Sequence, residues 1–391
     1  MLKFIIRRVL GFIPVILAVV LFTFVLARAL PGGPFDFAGD KSLPPTTIAN
    51  LEAKYHLDWP QWKQFTSYMI GDELTFFAKK FKVDNQNVYV SKGMAVINGS
   101  VYEMDGKTIC REGEKLVYGG FKVFDLDPEA CGSSKGVLRG DLGPSFRYRG
   151  QTVNDVIKVT FPLSLQLGTM AIMLGLFIGI PAGIIAALKQ NSIFDYSATF
   201  VAVLGVSVPS LVMAPVLIWI FAVNLSWLPA ASWGAKPPYL ENMFLNPGFD
   251  WVNYFTHAIM PVFAMGVGFS AIFARLTRAS LLQVVREDYI RTARAKGLKE
   301  SVVVFRHALR NSMIPVITVF GPLFAAVITG SMVIEQIFGL NGMGKHFINS
   351  ITNRDYPILL GVMLVYTLIL VSANLLVDII YGWLDPRISY D

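Results

Sequence analysis

Charge is what this chain has little of. Only 16% of its 391 residues are Asp, Glu, Lys or Arg, and 54% are hydrophobic; soluble domains carry about a quarter charged residues. A chain this poor in charge must lie largely in lipid. Cysteine is scarce too: Cys110 and Cys131 are the whole complement, and no His lies near either, so they do not complete a zinc site. The four histidines, His56, His257, His307 and His346, are scattered over different segments. Neither a metal cluster nor a catalytic triad is visible, and no enzyme reading survives. Ionisable residues are almost missing from the middle of the apolar runs; Arg275, Arg278, Glu335 and Asp378 fall towards their ends. A secondary transporter normally keeps such groups near the bilayer midplane, so the energy for any transport must come from elsewhere.

What is present is a series of long apolar runs. A helix of roughly 20 apolar residues spans a bilayer, and six stretches qualify: about Val9 to Leu26, Leu163 to Leu188, Ser197 to Leu225, Ile259 to Leu282, Pro315 to Ile334 and Ile358 to Ile380. The expected fold is all-α and polytopic, with six transmembrane helices and both chain ends on one side. Lys3, Arg7 and Arg8 precede the first run without an acidic residue, and nine Lys or Arg stand against three acidic residues between Arg275 and Arg310. The positive-inside rule makes both termini and that basic loop cytoplasmic, in a plasma or inner membrane, and Pro31 to Asp155 external. Most of the net charge of +7 therefore reflects topology. Nucleic-acid binding is not expected. Ala27-Arg28-Ala29 imitates a signal-cleavage site, but the apolar stretch exceeds the 7–15 residues, roughly, of a signal peptide. Residues 1–30 thus read as a cytoplasmic end and first transmembrane helix.

The external segment 31–155 is long and its composition changes twice, as for an inserted small domain. Asn98-Gly99 between Ala95-Val96-Ile97 and Ser100-Val101-Tyr102, followed by Asp105-Gly106, predicts a twisted hairpin or three-strand meander. Both cysteines fall in this segment. A Cys110–Cys131 disulfide is the economical reading in an oxidising compartment, worth about 3 kcal/mol for a loop of roughly 20 residues; two unpaired thiols are the alternative.

The basic loop, about 283–312, is the most informative stretch. Asp288 is placed to cap a helix, Tyr289 to Lys296 makes about two turns with cations near the C-terminal end, and Gly297 supplies a left-handed stop. Ala293 and Ala295 keep one side thin, so that another protein's backbone can approach. Arg291-Thr-Ala-Arg-Ala-Lys-Gly297 and His307-Ala-Leu-Arg310-Asn311 resemble the cytoplasmic coupling loop of ABC importer permeases, in the dipeptide and oligopeptide permease variant. A basic segment drawn to anionic lipid explains the charge of the loop but not its cap, alanines and stop together.

Other motifs resemble the same family: Tyr55-His-Leu-Asp-Trp-Pro60, Gly140-Asp-Leu-Gly143, Ser207-Val-Pro-Ser210, Trp227-Leu-Pro229, Val333 to Gly344, Arg354-Asp-Tyr-Pro357 and Asp385-Pro-Arg387. The resemblance is weak over Met1 to Tyr68 and strong over Gly140 to Asp391, and it leaves about 71–139 as the insert, a small β-rich external domain. The general family pattern begins its coupling run with an acidic residue; Arg291 and Thr292 stand there instead, as is usual in the peptide branch. Gly339 to Lys345 imitates a phosphate-binding loop, but His346 occupies the Ser/Thr position and no strand-loop-helix unit surrounds it.

The resemblance implies a type I ABC importer permease core, 156–391, with five further transmembrane helices. It also implies a second homologous permease subunit, two cytoplasmic ATPases that hold ATP and Mg, and an extracytoplasmic binding protein that delivers peptide; this chain itself would carry no cofactor. Asp288, Arg291, Ala293, Ala295, Gly297, His307, Arg310 and Asn311 are the candidate ATPase-coupling residues. Ser164, Gln166, Ser207, Pro209, Ser210, Ser331, Glu335, Ser372 and Asn374 are candidates for a weakly polar pathway through lipid, although helix packing uses the same residue types. Import of nickel chelates or oligosaccharides by the same fold, and a membrane-anchored receptor without transport, are the alternatives.

Overall fold

The computed structural model describes residues 2–29, 32–35, 44–71, 79–83, 86–91, 94–97, 100–103, 135–148 and 150–384. Cys110, Cys131, the Asn98-Gly99 and Asp105-Gly106 steps and Asp385-Pro386-Arg387 lie outside them. Among the described residues, the α-helices longer than one turn, in order, are α1 (Leu2–Ala29), α2 (Pro45–Lys54), α3 (Gln61–Ile70), α4 (Val153–Leu188), α5 (Ile193–Ser207) and α6 (Ser210–Leu217). They continue with α7 (Tyr239–Leu245), α8 (Trp251–Val284), α9 (Asp288–Ala295), α10 (Ile314–Ile328), α11 (Met332–Ile337), α12 (Met343–Thr352) and α13 (Tyr356–Leu384).

Among the described residues, five helical segments are long and apolar enough to cross a membrane: Ile5–Ala29, Val153–Leu188, Trp251–Val284, Ile314–Ile337 and Tyr356–Tyr381. The expected third span is not one straight helix. Ile193–Ser207 and Ser210–Asn224 meet at 97°, and they make a sixth span only if counted together. The cause is local: the ring of Pro209 bars the preceding residue from helical backbone, and Val208 is extended, at φ −88° and ψ 111°. Beyond α6 the chain widens into a π-helical turn, Ile218–Asn224. Large apolar side chains such as Phe177, Phe200, Trp219 and Phe22 are exposed along these segments, an arrangement suited to hydrocarbon as solvent.

By contacts the chain divides into two units, Met1–Ile16, Val159–His346 and Val365–Asp391 in the first, Leu17–Lys158 and Phe347–Leu364 in the second. In the first, α4 lies tight against α8 through Gly175, Gly179 and Gly183. A methyl group at these positions would come within 2.6 Å of Phe269 Cβ, 2.5 Å of the Ser270 carbonyl and 2.6 Å of the Ala274 carbonyl respectively. Small residues at a four-residue spacing let two backbones approach where the hydrophobic effect offers no drive. α5 packs along the same α8. A bidentate ion pair joins them, with Arg278 Nε and Nη2 at 2.6 and 2.8 Å from the carboxylate of the buried Asp195. The main core gathers Leu163, Leu167, Ala171, Ala214, Tyr254 and Ile334.

In the second unit, Asp355 is the organising residue. Its buried carboxylate accepts from the Ser145 hydroxyl at 2.6 Å and from the Phe146 and Arg147 amides at 3.3 Å. Burial pushes its pKa up against these hydrogen bonds. Phe35, Tyr55 and Phe146 form an aromatic cluster beside it, with Phe146 edge-on to Tyr356. Within this unit β1 (Lys79–Val83), β2 (Gln86–Ser91), β3 (Met94–Ile97) and β4 (Ser100–Glu103) pair in sequence as an antiparallel sheet.

Candidate functional site

The basic loop folds back on the helices that carry it. α9 has Ile290 and Ala293 on one face, both buried in a small core with Ile184, Leu281, Val303 and Ala308. The other face exposes Tyr289, Arg291, Thr292 and Arg294. Two expectations are corrected here. Ala293 faces inward and thins nothing for an outside partner, because it lies three residues after Ile290 and shares its face; Ala295 is the exposed alanine. Asp288 is the first residue inside the helix rather than its cap: Glu287 occupies the cap position and its side chain makes no capping hydrogen bond. Asp288 instead pairs with Arg291 at 3.3 Å on the surface. Gly297, at φ 77°, turns the chain in the left-handed region where glycine is least strained.

Two clasps close the loop, and neither was visible in sequence. Arg294 grips Glu300 with Nε and Nη2 at 3.1 and 2.7 Å, and the guanidinium holds the Glu300 carboxyl below its usual range. Asn311 donates to the Tyr289 hydroxyl at 2.9 Å. Between them the chain passes through a π-helical turn, Val303–Ala308, with His307 half-buried in it. Arg310 is exposed at its end.

Glu335 is the second focus. Its carboxylate is fully buried and accepts from the Ser164 hydroxyl and from the Lys345 amide, each at 2.8 Å, with the Gly344 amide as a further donor. Ser164 in turn accepts from the Met343 amide at 2.8 Å. The acid thus satisfies the first free N–H groups of α12, which a helix N-terminus always leaves over. The glycines of the surrounding run are required by closeness: a methyl at Gly342 would sit 2.3 Å from Glu335 Cδ, and one at Gly330 would sit 2.4 Å from the Gly344 nitrogen. His346 makes a 3.0 Å contact through Nε2 with Asn341 Oδ1, and burial lowers its pKa.

The structure brings only some of the pathway candidates together. Pro209, Ser210 and Ser331 line a cleft of about 440 Å³, walled by Val206, Met265, Phe269 and Leu323, at the break of the bent pair. Ser164 and Glu335 are withdrawn from it into the knot just described. Gln166 accepts from Trp233 Nε1 at 3.1 Å and from the Tyr254 hydroxyl at 3.0 Å, which makes it a brace. Asn374 stands against Gly321, and Ser207 and Ser372 are exposed outside the cleft lining. Polarity alone did not separate lining from bracing residues.

The sequence pattern of the binding-protein-dependent transport system inner membrane components matches residues 179–390, and that of their N-terminal segment matches residues 1–86. The chain belongs to this family. Its membership in the peptide branch of ABC permeases agrees with the motifs in the basic loop. It is 35% identical to the oligopeptide transport system permease protein OppB of Salmonella typhimurium and 36% identical to that of Haemophilus influenzae, across 100% of each chain in both cases. It is 35% identical to the dipeptide transport system permease protein DppB of Bacillus subtilis, over 100% of this chain and 98% of that one. This permease is accordingly a multi-pass membrane protein that works within a larger transport complex.

Proposed function

We propose that this permease imports di- or oligopeptides as one half of the membrane path of an ATP-driven transporter. The observation that carries the reading is similarity along the whole length to permeases named for oligopeptide and dipeptide transport. A second homologous permease subunit would complete the path, and two cytoplasmic ATPases holding ATP and Mg would bind the basic loops. A binding protein outside would deliver substrate, while hydrolysis belongs to the ATPases. The shape of α9 supports the loop as the ATPase contact: it is anchored inward by Ile290 and Ala293 and presents Arg291, Arg294, Ala295 and Lys296 outward. The clasped loop would move as a body and tilt α8 and α10, alternately opening the central path.

In this reading six spans place both termini and the basic loop in the cytoplasm. Residues about 71–139 form a small external inserted domain, stapled by Cys110–Cys131. Peptide mapping without reduction then recovers the two cysteines joined; two free thiols in protein from its native compartment would refute the staple. The transport reading is tested by reconstitution with all partners: peptide should enter vesicles only when ATP is supplied. Uptake that persists with a hydrolysis-dead ATPase and follows an imposed pH gradient would sink it. Preference for nickel chelates or oligosaccharides would move the solute but keep the mechanism, and lack of any uptake would favour a membrane-anchored receptor.

A further inference from the structure

The second unit contains a half-open cavity of about 80 Å³ lined by Phe24, Arg28, Trp59, Tyr68, Phe146 and Tyr356, among others. Arg28, at the end of α1, is its cation. Nε and Nη2 both donate to Gln64 Oε1, at 3.0 and 2.6 Å. Gln64 is itself fixed by its amide nitrogen donating to the Leu57 and Trp59 carbonyls at 3.0 and 2.7 Å, so its oxygen is the end turned to the guanidinium. The guanidinium carbon lies 4.6 Å from the Phe24 ring centre and 4.7 Å from that of Tyr356.

These contacts leave two donors over. Arg28 Nη1 and the Tyr68 hydroxyl are inaccessible to solvent, and neither has a hydrogen-bond partner among the described residues. No carboxylate among the described residues pairs with Arg28. Asp141, whose charge reaches Tyr68, accepts from the Lys135 and Gly143 amides instead. Outside the lining, Lys63 Nζ lies 3.7 Å from the ring centre of Trp59, which does line it. A buried cation needs a partner of opposite charge, and π faces and a neutral amide compensate it only in part. Water would satisfy the donors and leave the charge.

We propose that this cavity binds a small monovalent anion, between chloride and acetate in size, held by Arg28 Nη1 and the Tyr68 hydroxyl. The anion would tie α1 to α3 and complete the charge balance of the unit. The volume admits a few atoms and excludes a peptide or a polyhydroxy acid. The full-length chain in lipid nanodiscs, melted at constant ionic strength, provides the test. Sodium chloride or sodium acetate should raise the melting temperature in a saturable way relative to sodium gluconate, and whichever of the two acts identifies the size class. Arg28→Met should abolish the response. Tyr68→Phe, which removes one donor and no bulk from the fold, should weaken it by about tenfold, so the proposal stays open to test even if the arginine variant does not fold. Equal melting in all three salts for the wild type, or an unchanged response in Tyr68→Phe, would overturn it.

Discussion

Glu335 shows how one residue can be misread from its type alone. An acid near the end of an apolar run suggests a pathway group, yet its carboxylate is spent on Ser164, Gly344 and Lys345. Glu335→Ala should leave that hydroxyl and those amides unpaired, at about 3 kcal/mol or more, seen as a fall of roughly 4 °C or more in the melting temperature of the purified chain. A variant that melts normally but changes solute uptake would restore Glu335 to the pathway. His346 gives a pH signature. Burial lowers its folded-state pKa, while the unfolded chain takes up a proton near pH 6.5, roughly. Its contribution is therefore complete above that value and is lost as pH falls from there through the lowered folded pKa. Melting curves should decline over that window, and His346→Gln should flatten the decline.

At the scale of elements, the spans were legible because runs of twenty apolar residues have few other uses. The break in the third was written in Val208-Pro209, a pair that bars helix, but length and hydropathy drowned it. The direction of α9 was legible too: Ile290 and Ala293 share a face, and reading Ala293 beside Ala295 as one thin side ignored helical spacing. The clasps were not legible, because Arg294–Glu300 and Tyr289–Asn311 join residues that helix periodicity does not pair. This yields a contrast. Ala293→Trp should unseat α9 from its core at a cost of about 1–3 kcal/mol, with looser protease resistance of the loop. Ala295→Trp should leave folding and melting unchanged but block assembly with the ATPases, read by co-purification; normal assembly would remove α9 from the contact.

For the whole molecule, composition set the solvent and the basic loop gave an expected orientation, whereas the two-unit division and the aromatic cavity emerge only from the fold. Orientation is open to a direct check. In a chain with Cys110 and Cys131 replaced by Ser, a new cysteine at Lys299 should react with an impermeant maleimide only when the cytoplasmic side is opened, and one at Lys236 should react from outside. Only α8 separates the two positions, so labelling of both from one side would mean that α8 does not cross, and reversed labelling would mean that the topology is inverted or that the bent pair does not cross.

The crowding around Glu335 also limits how this chain can change over generations. Because a methyl at Gly342 collides with the acid itself, Gly342→Ala should displace the Glu335 carboxylate from its donors and lower the folded yield unless the acid has already shortened. Glu335→Asp should act as a second-site suppressor, recovering part of the folded yield of Gly342→Ala while harming the parent. The route between two working sequences then favours shortening the acid first, and a residue that contributes no chemistry biases which neighbours its descendants are free to acquire.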